Sequence, residues 1–264
     1  MTEVLDGIKV LVTRPEQQAE PLCEAIENLG GVVIRFPVIE IKQSRNQQAA
    51  KTVLDNIPQY DIGIFISRNA ADWTMKLLDE KTSTQKKSSL DKLTLIAIGA
   101  ATAKTLKQAS SALVITNSGV NSEALLELDA LGTKEVGGKK IIIFRGEGGR
   151  EFLATELKKR GAEVDYAEVY RRSCPQYDRS MIDELWLSNS PDVVIVTSNN
   201  GLENLFSLLN EEQRSLLLTK QLIVMTERIL GFSVDFGFTR PPILAEESGD
   251  EGILKAIVEW AASK

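Results

Sequence analysis

The segment GIKVLVTR at residues 7–14 corresponds, 131 residues further on, to GKKIIIFR at residues 138–145. A second pair shares this offset, because DIGIFISRN at residues 61–69 corresponds to DVVIVTSNN at residues 192–200. Any two α/β segments align loosely, but two separate stretches with one offset favour an internal duplication. The sequence therefore predicts two similar lobes, and a cleft between lobes is a common place for a ligand site.

Short apolar runs alternate with amphipathic helical segments along the chain. The runs are Ile8–Val12, Ile62–Ile66, Leu95–Ile98, Ile141–Phe144, Val193–Thr197 and Leu222–Met225. They are largely apolar on both faces, which is typical of buried parallel strands. The alternation predicts an α/β protein with two doubly wound parallel sheets. We also expect a helix over Glu123–Leu131 and a surface loop over Gly132–Lys140.

The position of the lobe boundary has two solutions. A tandem arrangement would cut the chain near residue 132. The repeat favours a discontinuous arrangement, because it makes the extended segments Phe36–Ile41 and Ala167–Arg172 equivalent. We therefore predict one lobe from residues 1–36 plus 173–264, a second from residues 41–167, and two linker strands at residues 37–40 and 168–172. One lobe would then be a circular permutation of the other.

The composition excludes several functional classes. The 264 residues are 43% hydrophobic and 26% charged, with a net charge of −6, which is ordinary for a globular protein and argues against nucleic acid as a partner. The sequence begins without a basic, apolar signal segment, and no run reaches the length of a membrane span. We therefore expect a cytoplasmic protein with no membrane partner.

The absence of histidine restricts the chemistry further. Ser-His-Asp and Cys-His catalysis are impossible, and a zinc site is disfavoured. The two cysteines, Cys23 and Cys174, have no metal-binding spacing, so no metal site is predicted. Acid–base chemistry would fall to carboxylates, tyrosine, lysine or water.

Four turns at predicted strand–helix junctions are rich in small polar residues. They are Ser67-Arg68-Asn69, Gly99-Ala100-Ala101-Thr102, Gly146-Glu147-Gly148-Gly149-Arg150 and Ser198-Asn199-Asn200-Gly201. Helix N-termini attract anions, so such turns suit a ligand with many carboxylates or phosphates. Helix capping explains the serines and asparagines equally well.

Two arginines end equivalent strands. Arg14 and Arg145 would bind an anionic ligand at the same edge of each lobe, or would pair with Glu16 and Glu147 at the surface. The loop after Arg145 lacks the glycine spacing of nucleotide-binding motifs, which argues against a nucleotide. Tyr170 would lie between the two linkers, where its phenol either donates a proton to a leaving group or packs beside Val169.

An ordered series of motifs resembles the uroporphyrinogen-III synthase family. The motifs are VLVTRP at residues 10–15, PVIEI at 37–41, ISRNA at 66–70, IGAATA at 98–103, RGA at 160–162, VYRR at 169–172 and TS at 197–198. Each motif is weak alone, but together they span nearly the whole chain in the family's order.

The resemblance implies two lobes joined by a two-stranded linker. It implies cyclisation of hydroxymethylbilane to uroporphyrinogen III, with loss of water and inversion of the last pyrrole ring, by a monomer without metal or organic cofactor. It carries the catalytic tyrosine to Tyr170, a further catalytic residue to Thr102 and a substrate contact to Ser67. The chain departs from the family at Met225-Thr226-Glu227, where relatives have a Gly-x-Thr-Thr-Ala-like turn, so Thr226 is a weaker correspondence.

Two other functions remain open at this stage. A non-catalytic, two-lobed protein that binds a small polyanion would share the fold and the anion-binding turns. A tandem flavodoxin-like regulatory module would bind flavin or accept phosphate.

Overall fold

The computed structural model describes residues 4–79, 89–116, 121–247 and 249–264. Its contacts divide the chain into two compact units. The terminal unit comprises Met1–Glu40 with Ser173–Lys264, and the central unit comprises Ile41–Arg172. Residues 168–172 belong to a strand of the central unit's sheet, and their role as a linker stays a prediction.

The terminal unit contains a five-stranded parallel sheet. Its strands are β1 (Lys9–Val12), β2 (Val32–Arg35), β9 (Val193–Val196), β10 (Gln221–Val224) and β11 (Ile243–Leu244). They lie in the order β11-β10-β9-β1-β2, and every pair is parallel. The helices are Glu16–Glu27, Arg179–Asp183 followed by a π-helical turn at Glu184–Ser188, Asn199–Leu208, Glu211–Leu218, Glu227–Val234 and Asp250–Ala262.

The central unit contains a six-stranded sheet. Its strands are β3 (Glu40–Gln43), β4 (Ile62–Phe65), β5 (Thr94–Ala97), β6 (Val114–Thr116), β7 (Lys140–Gly146) and β8 (Glu163–Ser173). They lie in the order β3-β8-β7-β4-β5-β6, and the strands from β8 to β6 pair in parallel. The α-helices are Gln47–Asp55, Arg68–Asp79, Gly99–Ala109, Ser122–Leu125, Thr133–Val136 and Phe152–Lys159, and short 3₁₀ turns lie at Ile57–Gln59, Leu90–Lys92 and Asp129–Leu131.

The two sheets have the same strand order, but the first strand along the chain occupies a different position of that order in each sheet. The order β2-β1-β9-β10-β11 in one corresponds to β8-β7-β4-β5-β6 in the other. The offset of 131 residues also relates two hydrogen bonds: Asp192 Oδ2 accepts from the Lys9 N–H (3.0 Å), and Asp61 Oδ2 accepts from the Lys140 N–H (2.9 Å). The predicted α/β class with parallel sheets is confirmed.

The central strands of both sheets are buried on both faces, as the apolar runs predict. Along β1, Val10 and Val12 join one hydrophobic cluster and Leu11 joins another. Along β7, Ile142 and Phe144 likewise face a different cluster from Ile143. Each fully buried Val, Leu or Ile side chain contributes about 1.5–3 kcal/mol of transfer free energy.

Local predictions were wrong at one stretch. The helix expected over Glu123–Leu131 is two short pieces, because Leu128 has an extended backbone between them. The loop expected over Gly132–Lys140 contains the helix Thr133–Val136, whose Val136 is buried in the core. Packing of Leu131 and Val136 against the sheet overrides the local pattern. In the described ranges, no helix is long and apolar enough to cross a membrane.

Candidate active site

The candidate residues of the central unit lie at the carboxyl edge of its sheet. Ser67 follows β4, Gly99 follows β5, Arg145 and Gly146 end β7, and Tyr170 lies near the end of β8. Since these strands are parallel, their carboxyl ends share one edge, which is where open α/β sheets bind ligands.

Tyr170 and Ser67 are brought together at this edge. The phenol oxygen of Tyr170 lies 3.2 Å from Ser67 Oγ, and either hydroxyl can be the donor. Ser67 Oγ also accepts from the Ala70 N–H (3.1 Å), so Ser67 caps the Arg68–Asp79 helix while it contacts the phenol. Tyr170 is only 2% exposed and packs in the core cluster of its own unit. The packing alternative for Tyr170 is therefore confirmed, and proton donation by its phenol stays a prediction.

Gly146 is required by the ring of Tyr170. The two residues are paired in the β7–β8 register, and a Cβ added to Gly146 would lie 2.8 Å from two atoms of the ring. Real Cβ atoms do not approach this closely, so only glycine lets the ring lie against β7.

Arg145 is buried and is used by the loop that follows it. Its side chain is 3% exposed, and its guanidinium donates to the carbonyls of Gly146 (3.2 Å) and Gly148. It also lies 3.7 Å from a carboxylate oxygen of Glu168 and stacks over the ring of Tyr166, 4.5 Å from the ring centroid. The structure therefore gives Arg145 a loop-holding role, and its direct contact with a substrate stays a prediction.

The Gly99–Ala109 helix begins differently from its neighbours. Gly99 has φ +75°, which favours glycine, and no described heavy atom lies within 4 Å of where its Cβ would be. The N-terminus of this helix receives no side-chain cap from the described residues. Its backbone N–H groups are therefore suited to an anion. Thr102 lies in the first turn of the same helix and is 3% exposed, and its catalytic role stays a prediction.

Arg68 and Asn69 begin the Arg68–Asp79 helix. Arg68 Nε lies 3.4 Å from an Asp72 carboxylate oxygen one turn along the helix, and the Arg68 side chain is 57% exposed. Burial raises the pKa of Asp72, and the positive charge of Arg68 opposes that rise. Asn69 is half-buried. Of the two side chains, that of Arg68 is therefore the more accessible to an anionic ligand.

In the terminal unit, Arg14 follows β1 and pairs with Asp250 in the first turn of the Asp250–Ala262 helix. Its Nη2 lies 3.0 Å from the sulfur of Met225, and the side chain is 10% exposed. The expected surface pairing of Arg14 with Glu16 is thus replaced by a pairing across the unit. Sequence reasoning missed Asp250 because a contact between residues 14 and 250 leaves no local signal.

The polar turns of the terminal unit are capped. Ser198 Oγ accepts from the Gly201 N–H (3.0 Å), and Thr226 Oγ1 accepts from the Ile229 N–H (3.3 Å). The capping interpretation therefore holds for Ser67, Ser198 and Thr226. Asn199 differs, because its buried Oδ1 finds no hydrogen-bond partner among the described residues.

A metal centre has no support in the described part of the chain. No group of three or more His, Cys, Asp or Glu side chains there is arranged to hold a metal ion. Cys23 is buried, and burial raises the pKa of its thiol. The groups described at the carboxyl edges include hydroxyl groups, backbone N–H groups and arginines.

Comparison with known proteins identifies relatives over nearly the full length. The chain is 29% identical over 252 residues to the uroporphyrinogen-III synthase of Escherichia coli K12, covering 95% of this chain and 100% of the relative. It is also 29% identical to the enzyme of Salmonella typhimurium, with the same coverage.

Solved structures share the fold. The uroporphyrinogen-III synthetase of Helicobacter pylori 26695 superposes with a TM-score of 0.64 at 15% identity, over 96% of this chain and 99% of that one. A mutant uroporphyrinogen III synthase from Thermus thermophilus gives a TM-score of 0.63 at 16% identity, over 97% and 99%. The family model described as uroporphyrinogen-III synthase HemD matches residues 20–248. With this match across most of its length, the chain belongs to the uroporphyrinogen-III synthase family.

Proposed function

We propose that this chain is a cyclising carbon–oxygen lyase that converts hydroxymethylbilane to uroporphyrinogen III, with loss of water and inversion of the last pyrrole ring. The observation that carries the proposal is the Tyr170–Ser67 hydroxyl pair, 3.2 Å apart, at the ligand-binding edge of a chain of this family. The absence of histidine agrees with it, because this reaction requires neither an imidazole base nor a covalent nucleophile.

The phenol of Tyr170 acts as the general acid. Tyr170 protonates the hydroxyl oxygen of the hydroxymethyl group while the pyrrole nitrogen lone pair expels that oxygen as water. The product is an azafulvene-type cation. Ser67 Oγ accepts from the Ala70 N–H, which leaves its own O–H free to stabilise the resulting phenolate by a hydrogen bond. The cationic methylene carbon then bonds to the substituted α-carbon of the last pyrrole ring, which also carries the existing bridge, and this gives a spiro intermediate. The old bridge bond breaks and the bridge carbon bonds instead to the unsubstituted α-carbon of the same ring, so the ring is inverted. The proton lost from that carbon reprotonates the phenolate, and the cycle is balanced.

The carboxyl edge of each sheet has groups that suit the substrate. The substrate is a polycarboxylate, which suits helix N-termini and arginines. We assign carboxylate binding to Gly99, Arg68 and Asn69 in the central unit and to Arg14, Ser198, Asn199 and Thr226 in the terminal unit. Arg145 shapes the loop beginning at Gly146, whose two positive-φ glycines bring the backbone to the same edge. Holding the linear chain in a ring-closing shape that favours inversion is the main catalytic task.

The alternative is a non-catalytic protein that binds a small polyanion. Hydroxymethylbilane closes spontaneously to the uninverted isomer, so the two functions give different products. We expect freshly prepared hydroxymethylbilane to give mainly uroporphyrinogen III with the protein, and uroporphyrinogen I in buffer or with heat-denatured protein. A product mixture identical to that of buffer would support the binder. The expected monomer, cytoplasmic location and lack of cofactor stay predictions.

A further inference from the structure

A carboxylate side chain spans the end of β8 at the level of Tyr170. Glu147 follows β7 and Ser44 follows β3, and β8 lies between these two strands in the sheet. Glu147 Oε1 accepts from Ser44 Oγ (2.9 Å) and from the Arg45 N–H. We call Glu147, Ser44 and the Arg45 N–H the strap.

The strap is joined to Tyr170 through the main chain. The Glu147 N–H donates to the Tyr170 carbonyl at 2.7 Å, so the backbone of Glu147 binds β8. Its side chain binds Ser44, which follows the strand on the other side of β8. The preceding Gly146 lies against the Tyr170 ring. Ser44 is 2% exposed, and its hydroxyl donates to the Glu147 carboxylate. A hydrogen bond from a buried hydroxyl to a carboxylate is stronger than one between two neutral groups.

Among the described residues of the terminal unit, the strap has no equivalent. At the offset of 131 residues, Glu147 corresponds to Glu16, which is exposed, and Ser44 corresponds to Pro175, which has no hydroxyl. Tyr170 corresponds to Ile39, which has no phenol to orient. The strap is therefore found in the unit that contains Tyr170.

We propose that Glu147 and Ser44 are positioning residues that fix the Tyr170 phenol for proton donation. This inference rests on the proposed function, because it assigns the strap to the reaction of that site. Neither residue touches the substrate. Their contribution passes through Tyr170, so it disappears when the Tyr170 hydroxyl is absent.

A double-mutant cycle tests this dependence. We expect Glu147→Ala to lower kcat by roughly 10-fold or more, because small displacements of a catalytic group are costly, and to change KM by less than about twofold. In a Tyr170→Phe background, Glu147→Ala should cause no further loss. Glu147→Gln keeps one carbonyl acceptor and should recover part of the rate. Glu163→Gln removes an exposed carboxylate at the other end of β8 and serves as the charge control.

The outcomes separate this inference from the proposed function. Losses that multiply in the double variant, or an unchanged kcat in folded Glu147→Ala, would overturn the strap while leaving the proposed reaction intact. A wild-type protein that forms no uroporphyrinogen III overturns both. If Glu147→Ala does not fold, Ser44→Ala removes only the Oγ, and its smaller kcat loss should vanish in the Tyr170→Phe background in the same way.

Discussion

The carboxyl edges of the two sheets differ at the Tyr170 hydroxyl. In the central unit, Ser67 caps a helix and contacts the Tyr170 phenol. In the terminal unit, the equivalent Ser198 caps a helix in the same way, but the residue equivalent to Tyr170 is Ile39. A Cβ added to Gly201 would lie 3.8 Å from Ile39 Cδ1, so a methyl group occupies the neighbourhood of that cap.

The difference separates anion binding from proton transfer. A capped helix N-terminus attracts carboxylates whether or not a phenol is nearby, so both edges can bind a polyanion. Among the described residues, a phenol and a second hydroxyl are paired at the central edge, whereas the Tyr177 phenol of the terminal unit donates to the Pro37 carbonyl. We therefore expect substitutions at equivalent positions to have similar effects on stability and different effects on turnover.

The largest expected effect is from Tyr170→Ile, which gives the central unit the residue type that the terminal unit has at the equivalent position, Ile39. It should lower kcat by roughly 10²-fold or more through loss of the acid. It should also lower the free energy of unfolding by about 2–4 kcal/mol, because the missing ring leaves a cavity over Gly146. Steady-state kinetics and urea denaturation measure the two effects. Ile39→Val is the control, and a comparable loss of turnover there would break the comparison.

The next effect is from Gly146→Ala. The added methyl would lie 2.8 Å from the Tyr170 ring, so the ring must move. We expect a loss of about 1–3 kcal/mol in stability and a marked fall in kcat. Gly231→Ala is the matched control, because its Cβ meets no described atom within 4 Å and alanine favours the Glu227–Val234 helix. A fully active Gly146→Ala would mean that the ring position is unimportant.

A smaller effect comes from the two capping serines. Ser67→Ala and Ser198→Ala should each cost about 1 kcal/mol of stability, because each leaves a helix N–H without its cap. Only Ser67→Ala should also lower kcat, since it removes the hydroxyl partner of Tyr170. Thermal unfolding and turnover are measured for both variants. Equal turnover in the two would contradict the expected difference between the two carboxyl edges.

The smallest expected effect is at the amino edges of the two sheets, where each unit has an aspartate that accepts from a backbone N–H. The Lys140 N–H holds the pKa of Asp61 below its ordinary value. A lowered folded pKa stabilises the fold above the unfolded pKa, near 4, and this contribution is lost as pH falls through the folded value. Asp61→Asn should therefore be less stable than wild type at pH 7, with a difference that shrinks in acid. Asp192→Asn should behave alike, and pH-dependent urea midpoints measure both.

The sequence was sufficient for the parts of the molecule that repeat. The apolar runs locate the strands, and the offset of 131 residues relates Arg14 to Arg145 and Ser67 to Ser198. The sequence analysis placed Tyr170 between the two linkers, and its position in β8, with its phenol 3.2 Å from Ser67 Oγ, was not predicted. The catalytic assignments themselves come from the family resemblance.

Contacts between distant residues could not be predicted. Asp250 beside Arg14, Glu168 beside Arg145 and Ser44 beside Glu147 are set by packing. The partners Glu16 and Glu147, considered as the alternative to ligand binding, are replaced by these residues because proximity in sequence was the only guide. The prediction of a continuous helix through Leu128 failed for a similar reason, since no Gly or Pro marks the break.

The central claim is that the Tyr170 hydroxyl supplies the proton that the terminal unit's edge cannot. Turnover of hydroxymethylbilane by Tyr170→Phe tests it most directly, because phenylalanine keeps the ring against Gly146 and removes only the oxygen. The account predicts a kcat lowered by roughly 10²-fold or more, with an unfolding midpoint close to that of wild type. An unchanged kcat in a well-folded Tyr170→Phe variant would contradict it and assign catalysis to conformational control by the helix N-termini alone.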